Sequence, residues 1–360
     1  MKRILCMIEN LGQGGAERQI IGLATLLAKE GNEVKILIYD ADFFYLPLLS
    51  GTGVECVHLT KAKSKLKRIP VIVKYIKTYK PDVVIAFLST PAIIACIAKK
   101  IIGNFRLVVS ERNTNQSLTI ADRIKFYLYR FADYVVPNSY SQREFIRLHY
   151  PKLVKKTVTI TNFTDTKHFC PKEDLGLRET EDKLKIVSVG RICKQKNVKR
   201  FIDAIKIITD KGVQAQVDWY GLAFPPYSDE CIEKVKSLKL DKTIYFHKET
   251  SDVKSVYQDS DVFILPSIYE GFPNVLCEAM SCGKPVLCSN VCDNGRIVRD
   301  EENGILFNPM SVDEIADTII CFSMLSNEKI RRMGRKSREY ALSDFSIDSF
   351  FNKYKKLIYE

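Results

Sequence analysis

Both halves of this 360-residue chain begin with a short apolar segment, a polar turn, an amphipathic helix and a glycine. In the first half, the apolar segment is residues 3–8, and the helix stripe, which ends near Gly31, consists of Ile20, Leu23, Ala24 and Leu27. In the second half, the segment is residues 185–189, and the stripe before Gly212 consists of Val198, Phe201, Ile202, Ile205 and Ile208. Spacings of three and four residues are those of one helix face. Each half therefore begins with a predicted strand and a packed helix.

Further apolar, β-prone segments alternate with helical ones. They lie at residues 34–39, 83–87, 107–110 and 134–136, and then at 215–220, 243–246 and 262–265. Such alternation predicts a parallel sheet covered by helices. Because the pattern occurs twice, we predict an α/β protein with two Rossmann-like domains, residues 1–170 and 184–340. A charged linker is expected at 171–183 and a terminal helix in 341–360.

The composition agrees with a globular protein of two domains. A chain of this length exceeds one typical core. Its 46% hydrophobic and 27% charged residues are ordinary for globular proteins. The longest apolar stretches, such as residues 91–98, are shorter than the ~20 residues of a membrane-spanning helix. Residues 1–10 lack the cleavage site of a secretory signal. We therefore expect a cytoplasmic protein.

The 11 cysteines are an odd number and lie mostly at strand and helix positions, where they are typical small buried hydrophobes. The cluster Cys277, Cys282, Cys288 and Cys292 lacks a Cys-x-x-Cys pair and a nearby histidine. Zinc sites usually contain such pairs. Disulfides, a metal site and a cofactor are therefore not expected.

Residues 265–286 carry the strongest chemical signal in the chain. A predicted strand ends at Pro266, and a helix follows a turn that contains Gly271 and Pro273. Glu270 and Glu278 lie on either side of this turn-to-helix junction. Free N–H groups at a helix start attract anions and polar sugars. We therefore predict a binding site at this junction, formed by Glu270, Gly271, Phe272, Pro273, Asn274, Val275 and Glu278.

The same segment resembles the signature of glycosyltransferase family 4, a family of retaining sugar transferases with the GT-B fold and nucleotide-activated donors. The matching runs are Glu-Gly-Phe-Pro-Asn, Glu-Ala-Met and Cys-Gly-Lys-Pro-Val. The resemblance implies that Glu270 holds donor-sugar hydroxyls and that Glu278 holds the nucleotide ribose. It also implies that the two domains face each other across a cleft, with the terminal helix packing back on the first domain.

A basic pair follows the first strand of the second half. Residues 189–197 contain Gly190-Arg191 and then Lys196, just before a predicted helix. This order is similar to the phosphate-binding element of the same family. Cleavage of a nucleotide sugar leaves negative charge on the departing phosphate, and fixed cations stabilise charge that develops in the transition state. We therefore predict that Arg191 and Lys196 are catalytic residues, with no metal required. The resemblance implies that Glu270, which holds the donor sugar, is the third.

The turn after the first strand contains Gly12, Gly14 and Gly15, so that Gly-x-Gly follows a strand as it does in dinucleotide-binding domains. Glu17 stands where that fingerprint needs a small residue, and Asp40 lies later than the expected ~20 residues. The run Gly-Gly-Ala-Glu-Arg instead resembles the first loop of family 4. This resemblance implies that Gly14 and Gly15 let a substrate phosphate approach the backbone. A role in turn geometry alone is the open alternative.

Glu111 and Arg112 end the fourth predicted strand of the first half. Ligands of parallel sheets lie at the carboxyl ends of the strands, so we expect both residues to bind substrate. Many family members carry a histidine near this position, whereas the four histidines of this chain lie elsewhere, at His58, His149, His168 and His247. The chain also departs from the family pattern at residues 219–227 and 293–298, which bears on base and sugar preference.

The excess positive charge of the chain is confined to its first half. Residues 1–180 contain 28 Lys and Arg against 16 Asp and Glu, whereas residues 181–360 contain 27 of each. The densest basic positions are Lys61, Lys63, Lys65, Lys67, Arg68, Lys74, Lys77 and Lys80. Such charge attracts an acidic partner, here expected to be an anionic membrane surface. A solvated helix face is the alternative. Nucleic acid is not expected, because no recognition module accompanies the charge.

The leading hypothesis is a retaining glycosyltransferase that moves a hexose or N-acetylhexosamine from a UDP-linked sugar to a hydroxyl of a growing, lipid-linked glycan in polysaccharide biosynthesis. It would act at the inner face of the membrane. The alternatives are a non-catalytic nucleotide-sugar-binding partner of an active transferase, a glycoside hydrolase and, last, a nicotinamide oxidoreductase. A retaining hydrolase needs two carboxyl groups on opposite sides of the scissile bond, whereas Glu270 and Glu278 are expected on one wall.

Overall fold

The structure is a computed structural model that describes residues 1–59, 65–115, 117–172 and 183–360, of which residues 65 and 66 are described by their backbone alone. It contains two compact units. The first comprises Met1–Phe163 and Asp348–Glu360, and the second comprises Thr164–Ile347. Most of the predicted linker, residues 173–182, lies outside the described residues.

The first unit is built on a six-stranded parallel sheet. Its strands are β1 (Arg3–Met7), β2 (Glu33–Ile38), β3 (Glu55–His58), β4 (Val83–Phe87), β5 (Arg106–Glu111) and β6 (Tyr134–Pro137). Its helices are α1 (Gly15–Lys29), α2 (Lys65–Tyr79), α3 (Ser89–Ile102), α4 (Ile120–Leu128) and α5 (Tyr140–His149). The strand order is β3-β2-β1-β4-β5-β6, so the direction of winding reverses between β1 and β4.

Helices cover both faces of this sheet, because successive residues of each strand point to opposite faces. In β1, Ile4 and Cys6 pack with α1, whereas Leu5 and Met7 pack with the layer formed by α2, α3, α4 and α5. Burial on both faces explains why the strands are continuous apolar runs rather than alternating ones.

The second unit repeats this architecture. Its strands are β7 (Leu184–Val189), β8 (Ala215–Tyr220), β9 (Ile244–His247), β10 (Val262–Leu265), β11 (Val286–Ser289) and β12 (Gly304–Phe307). Its helices are α6 (Val198–Asp210), α7 (Tyr227–Ser237), α8 (Val253–Gln258), α9 (Asn274–Ser281), α10 (Asn294–Ile297), α11 (Val312–Ser323) and α12 (Asn327–Asp344). The order β12-β11-β10-β7-β8-β9 reverses between β7 and β10. The predicted α/β class with two Rossmann-like sheets is confirmed.

The last helix, α13 (Ile347–Tyr359), returns to the first unit. Phe350, Tyr354 and Ile358 are buried in the same core as α1. The final carbonyl groups of a helix lack partners within the helix. Here Lys2 Nζ donates to the Ile358 carbonyl at 3.2 Å, and Arg106 Nη1 donates to that of Leu357 at 3.0 Å. Two cations therefore cap the negative end of the helix dipole.

Candidate functional site

The loops that follow β7 and β10 meet where the winding of the second sheet reverses. Ligands of open parallel sheets bind at such a switch point, beyond the carboxyl ends of the strands. The two loops are joined by hydrogen bonds from Gln195. Its carbonyl accepts from the Ile268 amide at 2.9 Å, and its side-chain Nε2 donates to the Tyr269 carbonyl at 3.0 Å. The predicted phosphate-binding and glutamate segments are therefore held together.

Lys196 and Glu270 form a buried ion pair at this junction. Lys196 Nζ lies 2.6 Å from Glu270 Oε1, and the two side chains are only 11% and 9% exposed. Charge-assisted hydrogen bonds of this length are among the stronger polar contacts in proteins. Two of the residues predicted as catalytic are thus direct partners.

Two glycines near Lys196, Gly190 and Gly221, leave little space for a side chain. A Cβ at Gly190 would lie 3.1 Å from Lys196 Cε, and a Cβ at Gly221 would lie 2.2 Å from the Gly190 carbonyl oxygen. Asn197, the N-cap of α6, has the left-handed conformation, with φ of +59°. Its Nδ2 donates to the Pro309 carbonyl at 2.7 Å, which holds this uncommon conformation in place.

Arg191 is exposed at the same strand end. Its Nη2 lies 3.5 Å from Gln195 Oε1, and its guanidinium lies 5.7 Å from the centre of the Phe224 ring. Its positive charge is therefore directed to solvent beside the buried Lys196. An exposed cation beside a buried one suits a diphosphate better than a single neutral sugar.

Glu278 lies in α9, one helical turn after its first residue, Asn274. It is 5% exposed, and the fully buried Tyr257 donates its hydroxyl to Glu278 Oε2 at 3.1 Å. Of the residues predicted at the helix start, Phe272 is buried against Phe345, whereas Gly271, Asn274 and Val275 are half-buried. Pro273 is the N-cap of α9. The second carboxylate thus accepts a hydrogen bond from a buried phenol.

Sequence reasoning missed three residues that hold this site, namely Gln195, Tyr257 and Cys292. Gln195 lay inside the quoted basic motif, and its chemistry gave no reason to select it. Cys292 was considered only as a metal ligand, yet its Sγ accepts from the Glu270 amide at 3.5 Å, and its φ is +49°. Tyr257 lies in α8, and no local pattern connects it with Glu278.

In the first unit, Glu111 has partners within the protein. Its Oε2 lies 2.8 Å from Lys125 Nζ, and Tyr129 donates its hydroxyl to Oε1. All three residues are buried. Burial, and then the Glu111 charge, hold the pKa of Tyr129 well above its ordinary value. The contacts tie β5 to α4, and the predicted binding role of Glu111 stays a prediction.

Arg112 is also buried, at 7% exposure. Its Nη1 donates to Asn162 Oδ1 at 2.6 Å, its Nη2 donates to the Tyr354 hydroxyl at 3.3 Å, and the guanidinium lies 3.8 Å from the centre of the Phe87 ring. Burial lowers the pKa of Arg112, while Tyr354 opposes the shift. Arg112 thus links β5 to α13, and its predicted substrate-binding role stays a prediction.

The predicted glycine loop precedes α1, with Gly14 as N-cap and Gly15 as first helical residue. A Cβ at Gly14 would lie 1.9 Å from Glu17 Oε2, and one at Gly12 would lie 2.3 Å from Asp42 Oδ2. Burial, together with the charges of nearby acids that include Asp42, raises the pKa of Glu17. The loop is therefore lined by carboxylates, which oppose the approach of a phosphate. The predicted role of Gly14 and Gly15 is not tested by these contacts.

The cysteines are all free, and within the described ranges no group of three or more His, Cys, Asp and Glu residues is arranged to hold a metal ion.

Comparison with known proteins adds two family matches. The model of Glycosyltransferase Family 4 matches residues 13–168, and that of Glycosyl transferases group 1 matches residues 172–340. Together they extend over both units.

Individual relatives align along the whole chain or along part of it. An alpha-1,4-N-acetyl-D-galactosaminyltransferase of Campylobacter jejuni, whose name gives a PP-undecaprenol-linked acceptor, is 28% identical over 370 aligned positions that cover 100% of this chain and 99% of that protein. A UDP-Gal:alpha-D-GlcNAc-diphosphoundecaprenol alpha-1,3-galactosyltransferase of Escherichia coli is 26% identical and covers 56% of this chain and 54% of its own length. The crystal structure of Anabaena HepE with UDP and glucose has a TM-score of 0.86 at 20% identity and covers 99% of both chains. At that identity the likeness shows the GT-B fold.

Proposed function

Because this chain belongs to glycosyltransferase family 4 and is a glycosyltransferase, we propose that it transfers a hexose or N-acetylhexosamine from a nucleotide sugar to a hydroxyl of a growing glycan. The observation that carries the proposal is the buried Lys196–Glu270 pair at the switch point of the second sheet. Arg191 and Glu278 complete a set of two cations and two carboxylates, which matches a ligand with both phosphates and hydroxyls.

In the proposed mechanism, the donor diphosphate lies against Arg191, Lys196 and the start of α9, while Glu270 accepts hydrogen bonds from the sugar and Glu278 from the ribose. As the bond from the anomeric carbon to the phosphate oxygen breaks, negative charge grows on the phosphate. Fixed cations and helix N–H groups stabilise this charge more in the transition state than in the ground state. We propose that the reaction retains the configuration of the anomeric carbon and that it requires no metal.

The proposed donor is UDP-linked and the proposed acceptor is lipid-linked. The names of two relatives specify diphosphoundecaprenol acceptors, and one of them specifies UDP-Gal. The structural neighbour was solved with UDP and glucose. We do not retain the non-catalytic binding partner or the glycoside hydrolase as alternatives, because the chain belongs to a family of transferases.

A lipid-linked acceptor requires access to a membrane, and we propose that the first unit lies peripherally on the inner face. None of the helices in the described part of the chain combines the length and the apolar composition needed to cross a bilayer. Of the predicted basic surface, Lys67, Lys74, Lys77 and Lys80 are exposed. Arg68 instead pairs with Asp40 at 2.5 Å and lies over the Tyr39 ring. Lys61 and Lys63 lie outside the described residues, as does the side chain of Lys65.

Helix α4 of the same unit carries an exposed apolar surface. Ile120, Ile124 and Tyr127 are 80%, 57% and 60% exposed and are spaced along one helix face. Arg123 lies on the same face, and the Arg130 guanidinium stacks 4.5 Å from the centre of the Tyr127 ring. Because α2 and α4 cover the same face of the sheet, lysines and exposed apolar groups share one side of the unit. That combination suits the interface of an anionic membrane.

The donor proposal is tested with a panel of nucleotide sugars based on uridine, guanosine and adenosine diphosphates. A bound donor should raise the melting temperature by mass action, and the sugar that does so should then be transferred to a glycan on a diphospholipid. Arg191→Ala should reduce turnover by about 10² to 10³. Thermal shift without transfer to any glycan would reduce the proposal to a binding protein, and no shift with any nucleotide would overturn it.

A further inference from the structure

The two groups proposed to hold different parts of the donor are bonded to each other. Lys196 Nζ, assigned to the leaving diphosphate, lies 2.6 Å from Glu270 Oε1, assigned to the sugar. Both side chains are about nine-tenths buried. A ligand that binds Lys196 must therefore displace Glu270, and a ligand that binds Glu270 must displace Lys196.

The electrostatic consequence differs between the donor and its nucleotide product. A free nucleoside diphosphate binds Lys196 through its phosphates. It has no sugar hydroxyl that could donate a hydrogen bond to Glu270. A buried carboxylate that loses its cation is costly unless other donors replace it. The Glu270 charge also repels the diphosphate directly, and this repulsion is strengthened by burial. An intact nucleotide sugar brings hydroxyl donors that restore the hydrogen bonds of Glu270 while Lys196 turns to the phosphates.

From this arrangement we infer that Glu270 is a specificity-determining residue that makes the site favour the intact nucleotide sugar over the free nucleoside diphosphate. The inference rests on the proposed function and deepens it. The Glu270 charge weakens the binding of the free nucleoside diphosphate more than it weakens the binding of the nucleotide sugar. After transfer, the Lys196–Glu270 pair can form again and help the nucleotide to leave.

The second carboxylate of the site supplies a matched contrast. Glu278 has a similar burial, 5% of the whole residue exposed against 7% for Glu270, and it accepts a hydrogen bond from the neutral hydroxyl of Tyr257. Removing the Glu278 charge therefore leaves the Lys196–Glu270 pair in place. If the preference arose only from the total negative charge of the site, the two glutamates would behave alike.

Isothermal calorimetry with UDP and with the UDP-sugar that binds the wild-type protein tests the inference. Glu270→Gln keeps the side-chain shape and removes the charge. We expect it to bind UDP at least tenfold more tightly than the wild type, while its affinity for the UDP-sugar is unchanged or weaker. Glu278→Gln should bind both ligands more weakly. Circular dichroism and melting curves establish that each variant is folded.

UDP affinity in Glu270→Gln that is equal to or below that of the wild type would overturn the inference, because Lys196 would then serve the phosphates without releasing Glu270. Equal tightening in both glutamate variants would also overturn it, in favour of a general charge effect. Failure of the proposed function is a separate outcome, in which neither the wild type nor any variant binds a nucleotide or nucleotide sugar.

Discussion

At the residue scale, the stability of the site and its chemistry depend on the same side chains. A buried charge is tolerated because its partner is present, and removal of one partner costs much more than removal of both. Lys196 and Glu270 are 74 residues apart in sequence, and their contact at 2.6 Å joins the loops after two neighbouring strands. Substitutions at these positions therefore need paired variants before a loss of activity can be interpreted.

We expect Lys196→Ala to lower the free energy of unfolding by about 3 kcal/mol, because it leaves the Glu270 carboxylate buried without its cation. The double variant Lys196→Ala with Glu270→Gln should regain most of this loss. Urea denaturation of both single variants and the double variant gives the coupling free energy. Equal losses in Lys196→Ala and in the double variant would show that packing of the lysine stem, rather than charge pairing, stabilises this region.

Tyr257 allows a test of Glu278 that changes one atom. Tyr257→Phe keeps the buried ring and removes the hydroxyl that donates to Glu278 Oε2. One such hydrogen bond contributes about 1 kcal/mol, so UDP affinity should fall about fivefold with little change in kcat at saturating donor. Tyr245→Phe, which removes a hydroxyl bound to the Lys242 carbonyl, is the control and should leave affinity unchanged. A less stable Tyr257→Phe protein with normal UDP affinity would make this hydroxyl purely structural.

The sequence was informative about the kinds of residue in the site and uninformative about their contacts. The motifs around Arg191, Lys196, Glu270 and Glu278 could be found because their residue types and order are local properties. The contact with Tyr257 could not be found, because it depends on how α8 packs against α9. Whether Glu111 turns inward or toward a ligand is likewise decided by tertiary packing, here by the position of Lys125.

At the scale of elements, most strands were predictable, because burial on both faces makes them continuous apolar runs. The strands β3, β11 and β12 were not predicted. Strand β11 consists of only four residues, Val286–Ser289. The edge strand β3 is mostly half-buried, so its hydrophobic signal is weak. Strand β12 begins at Gly304, where a Cβ would lie 2.1 Å from the Val286 carbonyl oxygen. A glycine required by close packing is also a residue that lowers strand propensity.

Helix α1 contains an analogous glycine that gives a clear prediction. In an exposed helix, glycine to alanine usually adds up to about 1 kcal/mol of stability. At Gly22, however, a Cβ would lie 2.3 Å from Phe163 Cζ. The Phe163 ring packs against Phe350, with centroids 4.9 Å apart. The Gln19 side chain donates to the Phe163 carbonyl and accepts from the Phe163 amide. The ring therefore has little freedom to move away.

We expect Gly22→Ala to lower the free energy of unfolding by about 1–3 kcal/mol, because the cost of overpacking exceeds the gain in helix propensity. The matched test combines Gly22→Ala with Phe163→Leu, which shortens the obstructing side chain. In that background the alanine should be neutral or stabilising. Chemical denaturation of the four proteins measures both effects. If Gly22→Ala stabilised the otherwise unchanged protein, Phe163 and α13 would have to be free to shift.

At the scale of the whole molecule, two units with the same strand order differ in surface chemistry. The proposed donor site lies in the second unit, whose acidic and basic residues are nearly balanced, whereas the excess basic charge lies in the first half of the sequence. In the first unit, exposed lysines of α2 and exposed apolar residues of α4 occupy the helical layer on one face of the sheet. Charge alone suggested a membrane contact from sequence, and the apolar face of α4 became visible only once its burial was known.

The exposed lysines of α2 and the exposed apolar residues of α4 predict different responses in a liposome sedimentation assay. Each basic residue near an anionic surface contributes about 1 kcal/mol, and added salt screens this attraction. Burial of an apolar side chain contributes about 1.5–3 kcal/mol and is insensitive to screening. Neutralising Lys74 and Lys77 to Gln should therefore weaken binding at low salt and reduce its salt dependence. Replacing Ile120 and Ile124 with Ser should weaken binding at all salt concentrations.

Nucleotide binding in the second unit is the internal control, because neither pair of substitutions changes the residues proposed to hold the donor. Both variants should keep the wild-type affinity for UDP while losing transfer to an acceptor embedded in anionic vesicles. Neutral vesicles should retain the α4 contribution and lose that of α2. If the wild-type protein does not sediment with anionic vesicles even at low salt, the basic face is a solvated surface, and the acceptor glycan must be reached in solution.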